Sequence, residues 1–125
     1  RYEWYCSYLA STNGTGCVVP IDKELSPEEI QNMLDRAEVD LILFSSSYTS
    51  KIDEIYGKNE NLNCYVCMDD TTDDRFITYS SLMEKGKTLL ANGDRTFLDA
   101  PIDTEAMTIL LFTSGTTAKS KAVML

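Results

Sequence analysis

Apolar and polar positions along this chain follow two alternating rhythms. Tyr2, Tyr5, Cys6, Leu9 and Ala10 recur at helical spacing, and Asn13-Gly14 supplies a helix end. Cys17-Val18-Val19 then reads as a short buried strand closed by Pro20. Ser26-Pro27-Glu28-Glu29 combines an N-cap serine, a proline at the first helical position and a glutamate three residues on, which predicts a helix start. Ile30, Met33, Leu34 and Ala37 form the apolar face of that helix.

Leu41-Ile42-Leu43-Phe44 has no polar interruption and predicts a buried strand. A helix over 48–57, ending at Gly57, leads through 59–63 into a strand over 64–68. Ser81 to Glu84 offers a second capping box, and Leu82, Met83, Leu89 and Leu90 line a helix that ends near Asn92-Gly93. Met107 begins a last strand, in which residues 109–112 are expected to be buried on both faces. The alternation implies right-handed βαβ crossovers and an α/β fold, a mostly parallel sheet with helices on both faces. It divides into a βαβ lobe over 1–93, an acidic connector over 94–106, and strand, turn, strand over 107–125.

The turn after residue 112 carries the most chemistry. A bound phosphate needs donors at close range and a cation. Thr113, Ser114, Thr116 and Thr117 supply hydroxyls, Gly115 permits backbone angles that turn N–H groups inward, and Lys119 and Lys121 supply charge. The carboxyl end of a strand in an α/β sheet is also where ligands bind. The competing reading is a polar hairpin turn whose lysines face water. The nucleotide loop G-x-x-x-x-G-K-[ST] is absent, because Thr113 and Ala118 stand where it needs glycine.

These residues resemble the phosphate-loop signature of the adenylate-forming superfamily, T-S-G-T-T-G-x-P-K-G. Positions 113 to 117 and Lys121 match; Lys119 fills the open position, and Ala118, Ser120 and Ala122 depart from Gly, Pro and Gly. Ala118 restricts positive φ, and Ser120 gives up a preset φ for a hydroxyl. Upstream, Tyr8-Leu9-Ala10, the run from Asn13 to Asp22 and Ser26-Pro27-Glu28-Glu29-Ile30 are similar to the family's "Y-L-A…G-a-v-x-v-P-l-D…l-p-x-e-e-l" segment, about a hundred residues before the loop.

The resemblance is strongest to fatty-acyl-CoA synthetases and implies part of the N-terminal domain of such an enzyme. It further implies that ATP with Mg2+ activates a small-molecule carboxylic acid, and that coenzyme A then takes the acyl group. Thr113, Ser114, Gly115, Thr116, Thr117 and Lys121 would cradle the β and γ phosphates, with Lys119 added for its charge. The family's catalytic lysine and acyl pocket have no counterpart here, so the remainder of the parent enzyme is needed and the chain alone is expected to be inactive. Two alternatives stay open: an adenylation domain that loads a carrier protein, and a stand-alone flavodoxin-like module that binds a phosphorylated ligand.

Composition narrows the field. With 11 basic and 20 acidic residues the net charge is −9, which disfavours nucleic acid as a partner. The sequence has no histidine, so a histidine base or metal ligand is excluded within these residues. Cys64 and Cys67 have C-x-x-C spacing but lie in a predicted strand, where they would face opposite ways. They and Cys6 and Cys17 read as core thiols of a reducing compartment. Ser45-Ser46-Ser47, at the carboxyl end of a strand, is a second candidate ligand turn, but it is expected instead to cap the helix that follows. Asp69, Asp70, Asp73 and Asp74 read as a solvated, flexible acidic loop, and no metal is assigned there. No apolar run is long enough for a transmembrane segment. Cysteine usage and the resemblance together imply a cytoplasmic location.

Overall fold

In the computed structural model, which describes residues 1–113 and 121–125, the capping signal at Ser26 forms as its chemistry requires. Helix α1 spans Tyr2–Thr12 and helix α2 spans Pro27–Arg36. At the start of α2, the Glu29 amide donates to Ser26 Oγ at 3.3 Å, and the Ser26 amide donates to Glu29 Oε2 at 2.9 Å. The backbone donor and then the Ser26 hydroxyl hold the Glu29 carboxyl below its usual range. Ile30, Met33 and Leu34 are buried as expected, while Ala37 is the C-cap and only half-buried.

The next residue, Glu38, takes a left-handed φ of 51°. Its amide donates to Asp35 O and that of Val39 to Leu34 O, which is the Schellman arrangement with glutamate where glycine is usual. Glu38→Gly is therefore expected to raise stability by about 0.5–1 kcal/mol, since the Cβ penalty exceeds the added unfolded-state freedom. The urea midpoint measures it, and a lowered midpoint would contradict the strain argument.

A parallel sheet follows, made of β1 (Leu41–Phe44), β2 (Cys64–Cys67) and β3 (Ile77–Thr78), in chain order. Leu41 pairs with Cys64 and Phe44 with Cys67. Central β2 buries Tyr65, Val66 and Cys67, whereas edge strand β1 buries only Ile42 and Phe44, so the uniform burial expected of β1 is not found. Helix α3 (Thr49–Ile55) follows a 3₁₀ turn at Ser46–Tyr48 and buries Ile52 and Ile55. It is shorter than the helix expected over 48–57, because Tyr56 takes an extended ψ of 125° before Gly57 turns left-handed. Phe44 meets Phe76 edge to face, with centroids 5.0 Å apart.

The buried Asn59 holds the turn before β2. Its Oδ1 accepts from the amides of Asn61 and Leu62 at 2.9 and 2.8 Å, and its Nδ2 donates to Asp35. Helix α4 (Tyr79–Ala91) begins earlier than the expected capping box. The cap is Thr78, whose Oγ1 accepts from the Ser81 amide at 3.2 Å, while the Ser81 hydroxyl donates to Thr78 O. Two-residue β3, too short to show a period, passes directly into the helix.

Everything from Glu24 to Gly93 forms one compact unit; Arg1–Lys23 and Asp94–Leu125 form a second. In the latter, strands β4 (Leu110–Thr113) and β5 (Lys121–Met124) pair antiparallel. The strand expected at 17–19 reduces to one parallel bridge, Val18 with Ile109, since Pro20 has no N–H to extend a ladder. β4 is half-buried rather than covered on both faces, with Leu110, Leu111 and Phe112 intermediate and Thr113 exposed. Gly14 caps α1 at φ 90°, where a Cβ would stand 2.9 Å from the Pro101 carbonyl oxygen. No helix among the described residues is long and apolar enough to cross a membrane.

Candidate functional site

The hydroxyl-rich segment is framed by the β4–β5 hairpin. Val18 N donates to Thr108 O at 2.8 Å and Leu110 N to Val18 O at 2.9 Å, which anchors the start of β4. The register then runs Leu110 with Met124, Leu111 with Val123, Phe112 with Ala122 and Thr113 with Lys121. The last pair brings two of the expected phosphate-binding residues to the same end of the ladder. Ser114, Gly115, Thr116, Thr117 and Lys119, with Ala118 and Ser120, lie outside the described residues. Thr113 itself is exposed.

The second hydroxyl turn differs from expectation. Ser45 makes no side-chain cap; instead its hydroxyl and the Ser46 amide donate to Asp69 Oδ2 at 2.9 and 2.8 Å. An aspartate just past β2 thus accepts the donors at the start of the 3₁₀ turn and favours its positive end. The carboxylate closes the turn upon protein groups. An acid immediately following the neighbouring parallel strand was the available signal, and it could not be read without the β1–β2 pairing.

The acidic loop is solvated as expected at Asp70 and Asp74, which are exposed, while Asp69 and Asp73 are half-buried, and the loop also makes side-chain contacts. Ser80 Oγ donates to Asp70 Oδ1 at 2.7 Å, and Arg75 bridges Asp73 and Asp53 while its guanidinium lies over the Tyr56 and Phe76 rings. Hydrogen bonds from the Arg75 side chain, then from its amide, hold the Asp73 carboxyl below the usual range. Among the described residues no three acidic or thiol groups converge as a metal-ligand set. All four cysteines are free thiols. Cys67 is buried in the core, and burial, reinforced by Asp40, pushes the Cys64 thiol up, the opposite of what a thiolate nucleophile needs.

Comparison with known proteins adds a family and a set of folds. A family model described as AMP-binding enzyme matches residues 1–125. No curated protein matches the chain. Among solved structures, the fold is similar to the anthranilate CoA ligase AuaEII in complex with anthranoyl-AMP, at 18% identity and a TM-score of 0.75, over 99% of this chain and 23% of that one. It is also similar to a Mycobacterium tuberculosis fatty acyl CoA synthetase, at 17% identity and a TM-score of 0.59, over 100% of this chain and 22% of that one. The N-terminal domain of FACL13 from Mycobacterium tuberculosis, inhibitor-bound, gives 19% identity and a TM-score of 0.62, over 100% of this chain and 28% of that one. The chain therefore spans between 22% and 28% of these three, and at such identities the likeness speaks for the fold.

Proposed function

The chain belongs to the AMP-binding enzyme family across residues 1–125, and on that premise we propose that it is part of the N-terminal domain of an AMP-forming acid–thiol ligase. The parent would join a carboxylic acid, in this reading a fatty acid, to AMP with release of pyrophosphate, then pass the acyl group to coenzyme A in the cytoplasm. The single observation that carries this reading is the hairpin: Thr113 and Lys121 pair at the end of β4–β5, on either side of the segment that matches the family's phosphate loop.

In this reading Thr113, Ser114, Thr116 and Thr117 donate hydroxyls to the β and γ phosphates, Gly115 lets backbone amides turn inward, and Lys119 and Lys121 offset charge. The protein's part in such chemistry is to orient ATP and stabilise charge that develops as pyrophosphate leaves. Magnesium would enter on the phosphates of ATP itself. Catalysis needs residues outside this chain, so the 125 residues alone should release no pyrophosphate.

Acid-dependent exchange of labelled pyrophosphate into ATP by the intact parent tests the first step. Exchange stimulated by fatty acids is expected, and none with any carboxylic acid would overturn the proposal. Thioester formation with coenzyme A, against transfer to a carrier protein, separates the two acceptors. The flavodoxin-like alternative gains no support from topology: among the described residues β1, β2 and β3 run in chain order, with no reversal of the kind that opens a flavodoxin-type crevice.

A further inference from the structure

Three glycines among the described residues take a left-handed φ: Gly14 at 90°, Gly57 at 70° and Gly93 at 85°. Each follows a helix, which accounts for the backbone angle. It does not account for what surrounds Gly14. A Cβ on Gly57 or Gly93 would meet no atom within 4 Å, whereas one on Gly14 would stand 2.9 Å from the Pro101 carbonyl oxygen.

Both sides of that approach are held in place. The Gly16 amide donates to Ser11 O at 3.0 Å and the Thr15 hydroxyl to Ala10 O at 2.7 Å, which fastens the segment after Gly14 to the end of α1. Across from it, the Pro101 ring fixes φ, and the turn that follows closes on itself. There the Glu105 amide donates to Asp103 Oδ1 at 2.9 Å and the Ala106 amide to Asp103 O at 3.3 Å. Just past this turn, Thr108 and Leu110 exchange hydrogen bonds with Val18 at the start of β4. Residues 14–18 and 101–110 therefore meet at two places, and the second is where the strand that ends at Thr113 begins. A side chain at position 14 must push residue 101 aside, and the closed turn carries the shift on toward β4.

We propose that Gly14 is a positioning residue for ATP: by letting the end of α1 approach the Pro101 carbonyl, it sets where β4 starts and so where Thr113 and Lys121 stand at the far end of the hairpin. This rests on the reading of 113–121 as a phosphate loop. A site of this kind tolerates little displacement, since a shift of about 1 Å that arises far from the chemistry can cost about 100-fold.

The test uses the intact parent and compares Gly14→Ala with Gly57→Ala, which carries left-handed strain but lies in the other unit with open space around it. Both variants lose Tm. Gly14→Ala is expected to weaken the calorimetric Kd for magnesium-ATP by about tenfold or more, and kcat/KM for ATP with it, while KM for the carboxylic acid is unchanged. Gly57→Ala should bind ATP as the unmodified parent does. Should Gly14→Ala fail to fold, Gly14→Asn takes its place with the same expectation, because asparagine tolerates a left-handed φ yet still sets a Cβ against Pro101. A Kd for ATP within about twofold of the parent's, or an equal loss in the Gly57 variant, overturns the proposal and leaves the enzymatic reading standing. A parent that neither binds magnesium-ATP nor exchanges pyrophosphate with any acid overturns both.

Discussion

Lys121→Ala in the intact enzyme is expected to lower kcat/KM for ATP by about 10²–10³-fold, the usual loss when one donor to a developing charge is removed from a site. The lysine matches the one fixed cation of the family's loop and stands at the first position of β5, in register with Thr113. Alanine keeps the backbone N–H and C=O that make this pairing, so the hairpin persists while the charge is lost. Lys119→Ala should have a smaller effect, because Lys119 occupies the open position of the pattern and only its charge speaks for it. Pyrophosphate exchange over a range of ATP concentrations measures both, and unchanged kinetics for Lys121→Ala would remove it from the site.

Phe44→Ala is expected to have the largest effect on stability, about 3–5 kcal/mol, a sizeable part of the 5–15 kcal/mol that a domain commands. Phe44 is 5% exposed, lies on the β1 face that packs into the core, and meets Phe76 edge to face. Truncation forfeits transfer free energy, leaves a cavity and removes the ring pair. Glu54→Ala, on an exposed position of α3, should stay within about 0.5 kcal/mol. Urea denaturation compares the two, and equal midpoints would mean that the aromatic cluster does not hold the sheet.

Signals that act through the backbone within a few residues were legible in the sequence. The Ser26 capping box, the apolar stripe of α2, the runs that became β1 and β2, and the glycines at 14, 57 and 93 all carry their cause locally. What was missed depends on partners distant in the chain. Asp69 serves a turn 23 residues earlier, and Asn59 joins its own turn to Asp35. Glu38 adopts a left-handed φ that its side chain gives no reason to expect. Thr78 replaced Ser81 as a cap because β3 runs straight into α4. At the candidate site the residue types carried the reading, and the hairpin register adds that Thr113 and Lys121 stand opposite one another.

The two units differ in how soon they can form during synthesis. Glu24–Gly93 is contiguous, so its three-stranded sheet can assemble as soon as β3 and α4 leave the ribosome. The bridge from Val18 to Ile109 instead closes a loop of about ninety residues, and its closure entropy must be met late, when the first unit is already folded. Until that bridge closes, the nascent chain would carry helix α1 with Tyr2, Tyr5 and Leu9 exposed, the interval in which chaperone capture is most needed.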